Sequence, residues 1–328
     1  MSKYKIYLFL FLFLFSCSEK KSKIIISGQT MGTTYSIKLV EENIDSIYIH
    51  NSIENILENI NSQMSTYIDS SCISKFNNLE VGDSLNIKSD FNHVFNKSHY
   101  YHSLTNGSFE VTIKPLIDLW GFEKPDYRTN IPDSSSIKRA LTNIGINNIK
   151  IRDGYIYKMN EVSLDFSALA KGYAVDKIAT FLKDNLIYNF MVEIGGELSL
   201  YGYNSEDKKW SIGVQNPSLN NISSTLNLLL TNKTIATSGN YRNFFTYKGK
   251  SYSHIISPTT GYPIDNNILS VTVISDQCID ADALATTLIV MNIEDGINLI
   301  EKLEGTEVFY ITKENENLYS KGFKTFVR

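Results

Sequence analysis

The sequence predicts an α+β protein with mixed or antiparallel sheets and packed helices. Apolar residues recur at helical spacing in some segments and alternate at strand spacing in others, and the two kinds interleave without the regular repetition of a doubly wound sheet. Turn signals such as Asp153-Gly154 fall between short alternating runs, as hairpins require.

The chain opens with Lys3 and Lys5 before an apolar stretch from Ile6 to Phe15. That stretch is shorter than the roughly 20 residues of a spanning helix and matches a signal h-region. The following "LFSC", Leu14 to Cys17, resembles a bacterial lipobox, which implies lipidation at Cys17. A signal peptide cut elsewhere, or a short anchor, is the alternative; either way the chain leaves the cytoplasm. The expected organisation is therefore a signal peptide over 1–16, a tether over 17–23 and one module over 24–328.

Within that module, "IIISGQTMGTTYSIKLV" reads as two strands around a glycine turn, the first ending near Ser27. Asp45 to Met64 places Ile47, Ile49, Ile53, Ile56, Leu57 and Ile60 at near-helical spacing. Further helices are expected over about 90–104, 135–144 and 167–185, and a hairpin over "IKIRDGYIYKMN". "FMVEIGGELSLYGY" reads as strand, glycine pair, strand. From Trp210 to Val273 strands dominate, before a helix from Ala281 to Met291 capped by Asp280 and a β-rich tail.

Composition narrows the function. Removing residues 1–16 takes away two lysines and moves the formal charge from −4 to −6. No basic face for nucleic acid is expected. Beyond Cys17 only Cys72 and Cys278 remain, without CxxC spacing; one disulfide is feasible, a cysteine zinc site is not.

Four clusters of glycine and polar residues interrupt apolar elements: 28–36, 105–122, 164–176 and 237–267. In the third, Asp165 leads through Ser167 towards a helix with Lys171 and Gly172 in its first turns, a strand-to-helix turn suited to an anion. Neither a Walker-type P-loop nor a G-x-G-x-x-G fingerprint is present. Asp282 and Thr286 lie four apart and share a helix face, so a carboxylate and a hydroxyl point the same way, as magnesium ligands or as ordinary helix side chains.

Eight segments in order, "TMGTTY", "MSTYIDSSCISKFN", "GSFEVTIKPLIDLWGF", "LDFSALAKGYAVD", "EIGGEL", "TSGNYRNFF", "SHIISPTTGYPI" and "DADALATTLIVM", resemble the ApbE-type FAD:protein FMN transferases over residues 30 to 291. The resemblance implies FAD as substrate in a cleft between two lobes, Mg²⁺, and a protein acceptor bearing a D-G-[AS]-T-type threonine motif. It places Met31, Tyr67, Ser108, Phe109, Glu110, Asp165, Lys171 and Ile256 against FAD. Ala168, through its carbonyl, Asp282 and Thr286 would bind the metal.

The implied reaction is attack of a threonine hydroxyl on the FMN-side phosphorus, with AMP leaving. Lys171 would assist electrostatically, and His254 is the candidate base, with a structural histidine as the alternative. Hydrolysis of FAD to FMN and AMP, or FAD binding without turnover, are the other readings. Two departures from the family pattern stand out: Ala285, where some relatives carry a further acid, and Ser257, where "HIIDP" would place aspartate. The presumed acceptors, membrane-associated redox subunits, fit a lipid anchor on the periplasmic side of the inner membrane.

Overall fold

A computed structural model describes residues 23–41, 44–122, 131–215, 224–240 and 244–328. The expected signal peptide, Cys17 and most of the tether lie outside these residues, as do 241–243 of the fourth cluster.

The elements in order are β1 (Ile24–Thr30), β2 (Thr33–Leu39), α1 (Ser46–Met64), α2 (Cys72–Asn77), β3 (Ser84–Asn86), α3 (Ser89–Leu104), α4 (Lys114–Trp120) and α5 (Ser134–Thr142). There follow β4 (Ile149–Arg152), β5 (Tyr155–Lys158), α6 (Ala170–Asp184), β6 (Phe190–Ile194), β7 (Glu197–Tyr201), β8 (Trp210–Gln215), β9 (Ser224–Leu230) and β10 (Lys233–Gly239). The chain closes with β11 (Phe244–Tyr247), β12 (Lys250–Ser253), β13 (Ile268–Ser275), α7 (Cys278–Val290), α8 (Ile293–Ile300), β14 (Glu307–Thr312) and β15 (Asn317–Tyr319).

An eight-stranded sheet, ordered β1-β2-β6-β7-β10-β13-β14-β15, organises the molecule. Among the described residues every strand pairing is antiparallel, and only the isolated bridge Ile113↔Ser163 is parallel. Alternation along the strands sends side chains to two layers. On one face Ile26, Ile37, Val192, Ile194 and Val273 meet buried residues of α1, α6 and α7. On the other, Met191, Leu200, Ile235 and Ile311 meet Trp210, Leu228 and Leu230 of the β8–β9 hairpin. A third, small cluster joins Leu116, Trp120, Ile137 and Ile256.

The sheet has two distinct ends. At one, β1 turns into β2 through Met31-Gly32, both at positive φ (50° and 72°), and β6 turns into β7 through Gly195-Gly196. At the other, the register runs Ile24 to Leu39, Leu39 to Phe190 and Phe190 to Tyr201, so the chain enters the fold there.

Several boundaries differ from the sequence expectation for physical reasons. β1 continues past Ser27 to Thr30, because Gln29 and Thr30 pair through main chain with Thr34 and Thr33 and need no apolar side chain. α6 starts at Ala170, after Asp165 accepts the Ser167 N–H and turns the chain. α7 starts at Cys278, so Asp280 is not its cap. Asp176 of α6 accepts the N–H groups of Cys278 (2.8 Å) and Ile279 (2.9 Å), while Asp280 pairs with Lys97 at 2.7 Å. The tail holds a helix as well as strands: Asn292 caps α8 by accepting the Asp295 N–H. Cys72 and Cys278 are both free thiols, the latter buried.

Candidate active site

At the turn end of the sheet lies a cavity of about 490 Å³, the size of a small-molecule site. It opens where the small cluster around Ile256 faces the main core, with Ile113, Ile117 and Phe122 on one wall and Met31, Met64 and Val290 on the other. Every residue expected at the site from Met31 to Thr286 lines it. Met31 arrives on the β1–β2 turn, Tyr67 on the chain after α1, Ser108 to Glu110 on the turn after α3, and Lys171 on the first turn of α6.

Charge concentrates in one corner. Lys171 Nζ lies 3.4 Å from Glu197 Oε1 and 3.7 Å from Asp282 Oδ2. Both carboxylates are buried, whereas Lys171 keeps about a quarter of its side chain open to the cavity. Burial pushes the Glu197 and Asp282 carboxyls above their usual range, although Lys171 pulls both down. Burial would lower Lys171, but the two carboxylates outweigh it and keep the ammonium charged. Glu197 Oε2 is buried with no hydrogen-bond partner. Two buried acids therefore face one cation.

The helix crossing that builds this corner depends on Gly172. Its N–H, which a regular helix would give to the Ala168 carbonyl, donates to Asp282 Oδ2 at 2.9 Å. A Cβ at this position would lie 2.4 Å from the Cys278 carbonyl oxygen, so only glycine lets α6 and α7 approach this closely. Thr286, one turn beyond Asp282, shares a hydroxyl contact of 3.1 Å with Ser238 of β10.

Glu110 also borders the cavity, but its carboxylate is engaged elsewhere. Oε1 accepts the Thr112 N–H and hydroxyl, and Oε2 meets the Ile146 N–H and His102 Nδ1 at 3.1 Å. His102 Nδ1 faces the Phe109 carbonyl as well, so it carries the proton. The hydrogen bond to Glu110 raises the His102 pKa against the effect of burial. Burial opposes ionisation of Glu110, yet the bonds from His102 and Thr112 hold its carboxyl below the usual range. Glu110, expected against the flavin, borders the cavity but uses its carboxylate to brace the turn after α3.

The two departures from the family pattern read differently in three dimensions. Ala285 is fully buried in the main core and does not line the cavity. The second acid is Glu197, which sequence reasoning passed over although it lies in the quoted "EIGGEL". Ser257 accepts the Thr260 N–H and closes the turn behind Ile256. Among the described residues no group of three or more His, Cys, Asp or Glu is gathered for a metal.

Comparison with known proteins places this arrangement. A curated FAD:protein FMN transferase of Vibrio cholerae is 37% identical over 95% of this chain and 95% of its own length. One from Haemophilus influenzae is 33% identical over 95% and 92%. The solved structure described as flavin transferase ApbE from Vibrio cholerae superposes with a TM-score of 0.86 at 36% identity, over 93% of this chain and 99% of that one. The sequence model of the ApbE family matches residues 31–310, nearly the whole described fold and every wall of the cavity, and the chain belongs to that family.

Proposed function

We infer that the chain is an FAD:protein FMN transferase, the activity by which its relatives are named. The observation in its own structure that supports this most directly is the pairing of one cavity with one charged corner: Lys171 between Glu197 and Asp282, beside the hydroxyls of Thr286 and Ser238. With a divalent cation bound, such a corner would suit a pyrophosphate, and the apolar walls suit a flavin.

Magnesium fits the donor set. The buried Glu197 Oε2 lacks a partner, and two carboxylates outnumber one ammonium, so a divalent cation would balance the corner. Asp282, Thr286 and the Ala168 carbonyl, which the Gly172 N–H does not claim, would hold it. When bound there, Mg²⁺ offsets charge on the phosphate oxygens during displacement.

The chain's own residues supply the rest. Lys171 neutralises the pyrophosphate from the α6 side. Met31, Tyr67, Phe109 and Ile256 border the space for the ring system, and Asp165 the turn before α6. The acceptor threonine oxygen forms a bond to the FMN-side phosphorus, the phosphoanhydride bond breaks, and AMP departs. His254 takes the hydroxyl proton on its imidazole. Residues 1–16 act as a signal peptide and Cys17 carries a lipid, holding the enzyme on the periplasmic side of the inner membrane. Among the described residues no helix is long and apolar enough to cross a membrane.

The test uses the chain from Ser18 onward with FAD, Mg²⁺ and a small acceptor domain bearing the threonine motif, read by intact mass. A gain of one FMN, lost with EDTA and with Asp282→Ala, is the expected result. Free FMN and AMP without labelled acceptor would replace the transferase by a hydrolase, and unchanged FAD by a carrier. His254→Gln is expected to lose transfer while retaining bound FAD; full activity would remove it as the base.

A further inference from the structure

The end of the sheet remote from the cavity carries exposed apolar side chains that folding does not require. Ile25 lies at the start of β1, and Ile47 and Tyr48 in the first turn of α1. Leu186 and Tyr188 lie between α6 and β6, and Tyr203 just after β7. Ile47 and Leu186 are 74% and 73% exposed.

Contacts link the segments that carry Tyr48, Tyr188 and Tyr203. The Tyr48 ring is 6.3 Å from Phe181 in the last turn of α6, and the Tyr188 ring is 6.4 Å from Tyr201. The Tyr203 N–H donates to Asn189, whose side chain also reaches Glu41 beside β2.

Leu186 adds a second, independent sign. It occupies the left-handed position that ends α6, φ 60°, with the Ile187 N–H returning to the Leu182 carbonyl. That position favours glycine, and a leucine there is strained. Its side chain gains no burial in return.

The chain enters the fold at this same end. From Cys17 to Lys23 the tether spans at most about 20 Å when fully extended. A domain of this length is about 50 Å across. A lipid on Cys17 therefore keeps the start of β1 within about 20 Å of the bilayer.

We propose that the face formed by Ile25, Ile47, Tyr48, Leu186, Tyr188 and Tyr203 rests on the lipid bilayer, with the catalytic cavity opening away from it. This rests on the reading of Cys17 as the anchor. Charges around the face are of both signs, Lys23, Lys38, Lys183 and Lys209 against Glu41, Asp45, Asp184 and Asp207, so it is no polybasic patch. Tyrosine rings and aliphatic tips at headgroup depth carry the contact. The acceptor's threonine must then approach from the side remote from the membrane.

The full lipidated chain is placed in phosphatidylethanolamine–phosphatidylglycerol vesicles containing a brominated lipid. Its native Trp120 and Trp210 are buried away from the lipid and give a background that the wild type measures, so the added tryptophan is read by difference. The emission added by Leu186→Trp and, separately, by Tyr203→Trp over the wild type is expected to fall by roughly half at the headgroup–acyl boundary, while that added by Tyr262→Trp, near the cavity, is kept. Equal quenching at Leu186→Trp and Tyr262→Trp in protein that floats with the vesicles would overturn the face and leave the anchor standing. Protein that fails to float would remove anchor and face together. A response at Leu186→Trp only on adding acceptor, or only with rising enzyme concentration, would assign the face to a protein partner and overturn the proposal. FMN transfer to a soluble acceptor, measured on the same samples, keeps the transferase reading separate.

Discussion

Lys171 stands between two carboxylates that burial works to neutralise, and that imbalance makes metal binding measurable without turnover. A cation that binds only the folded chain stabilises it, by about 2.7 kcal/mol at a hundredfold excess over its dissociation constant. Magnesium is expected to raise the melting temperature of the wild type, to raise it less in Glu197→Gln, and to leave Asp282→Ala unchanged. An equal rise in all three would take the metal away from this corner. His102 and Glu110 give a second prediction, for pH. The raised His102 pKa contributes stability that is complete below the unfolded value of 6.5 and fades as pH rises through the folded value. The lowered Glu110 pKa contributes above 4.5 and fades as pH falls through its folded value. The pair is therefore strongest between those limits. Urea midpoints should show His102→Gln destabilised by about 1–2 kcal/mol near pH 6, and by less near pH 9. At this scale residue types were legible, because Asp282 and Thr286 share a helix face in any register. The role of Glu197 was not, since its partner Lys171 lies on another element and only the fold brings them together.

The α6–α7 crossing is the element on which the charged corner depends. Gly172→Ala would press a methyl onto the Cys278 carbonyl and the Asp282 Cβ, both backbone or close to it and unable to swing aside. Overpacking of this kind costs about 1–3 kcal/mol, and relief requires α7 to move. The expected outcome is a lower thermal midpoint together with loss of FMN transfer and a weaker magnesium-induced shift. Loss of stability alone, with both functions intact, would show that α7 does not set the corner. The same crossing explains why helix limits were only partly legible. The α1 cap, Asp45, sits beside its own helix and can be read locally. The α7 cap, Asp176, sits about a hundred residues earlier in the chain, and no local pattern announces it. Strands behave alike: the alternation of "TYSIKLV" is visible, whereas the polar end of β1 is held by main-chain pairing and by the Asn61 amide of α1 donating to the Thr30 hydroxyl.

At the scale of the whole molecule, the sheet separates two tasks by its length. The α+β class and the hairpins were legible because they follow from short-range pattern, but strand order was not, because β2 meets β6 and β7 meets β10 across long stretches of intervening chain. Only that order places the entry of the chain at one end and the cavity at the other. A seven-residue strand spans roughly 20 Å, and α1, at nineteen residues, about 28 Å. With the chain-entry end on the bilayer, the site stands at about that height. An acceptor anchored in the same membrane can be labelled only if its threonine reaches it, since effective concentration falls towards zero when a linker cannot span the gap. Two acceptors differing only in the flexible segment between anchor and threonine domain test this in vesicles with the lipidated enzyme. The longer is expected to be labelled at least about tenfold faster, and the difference is expected to vanish in detergent, where both partners tumble freely. Equal rates in vesicles would mean that the cavity lies within reach of the bilayer surface, and the enzyme would then have to lie on its side.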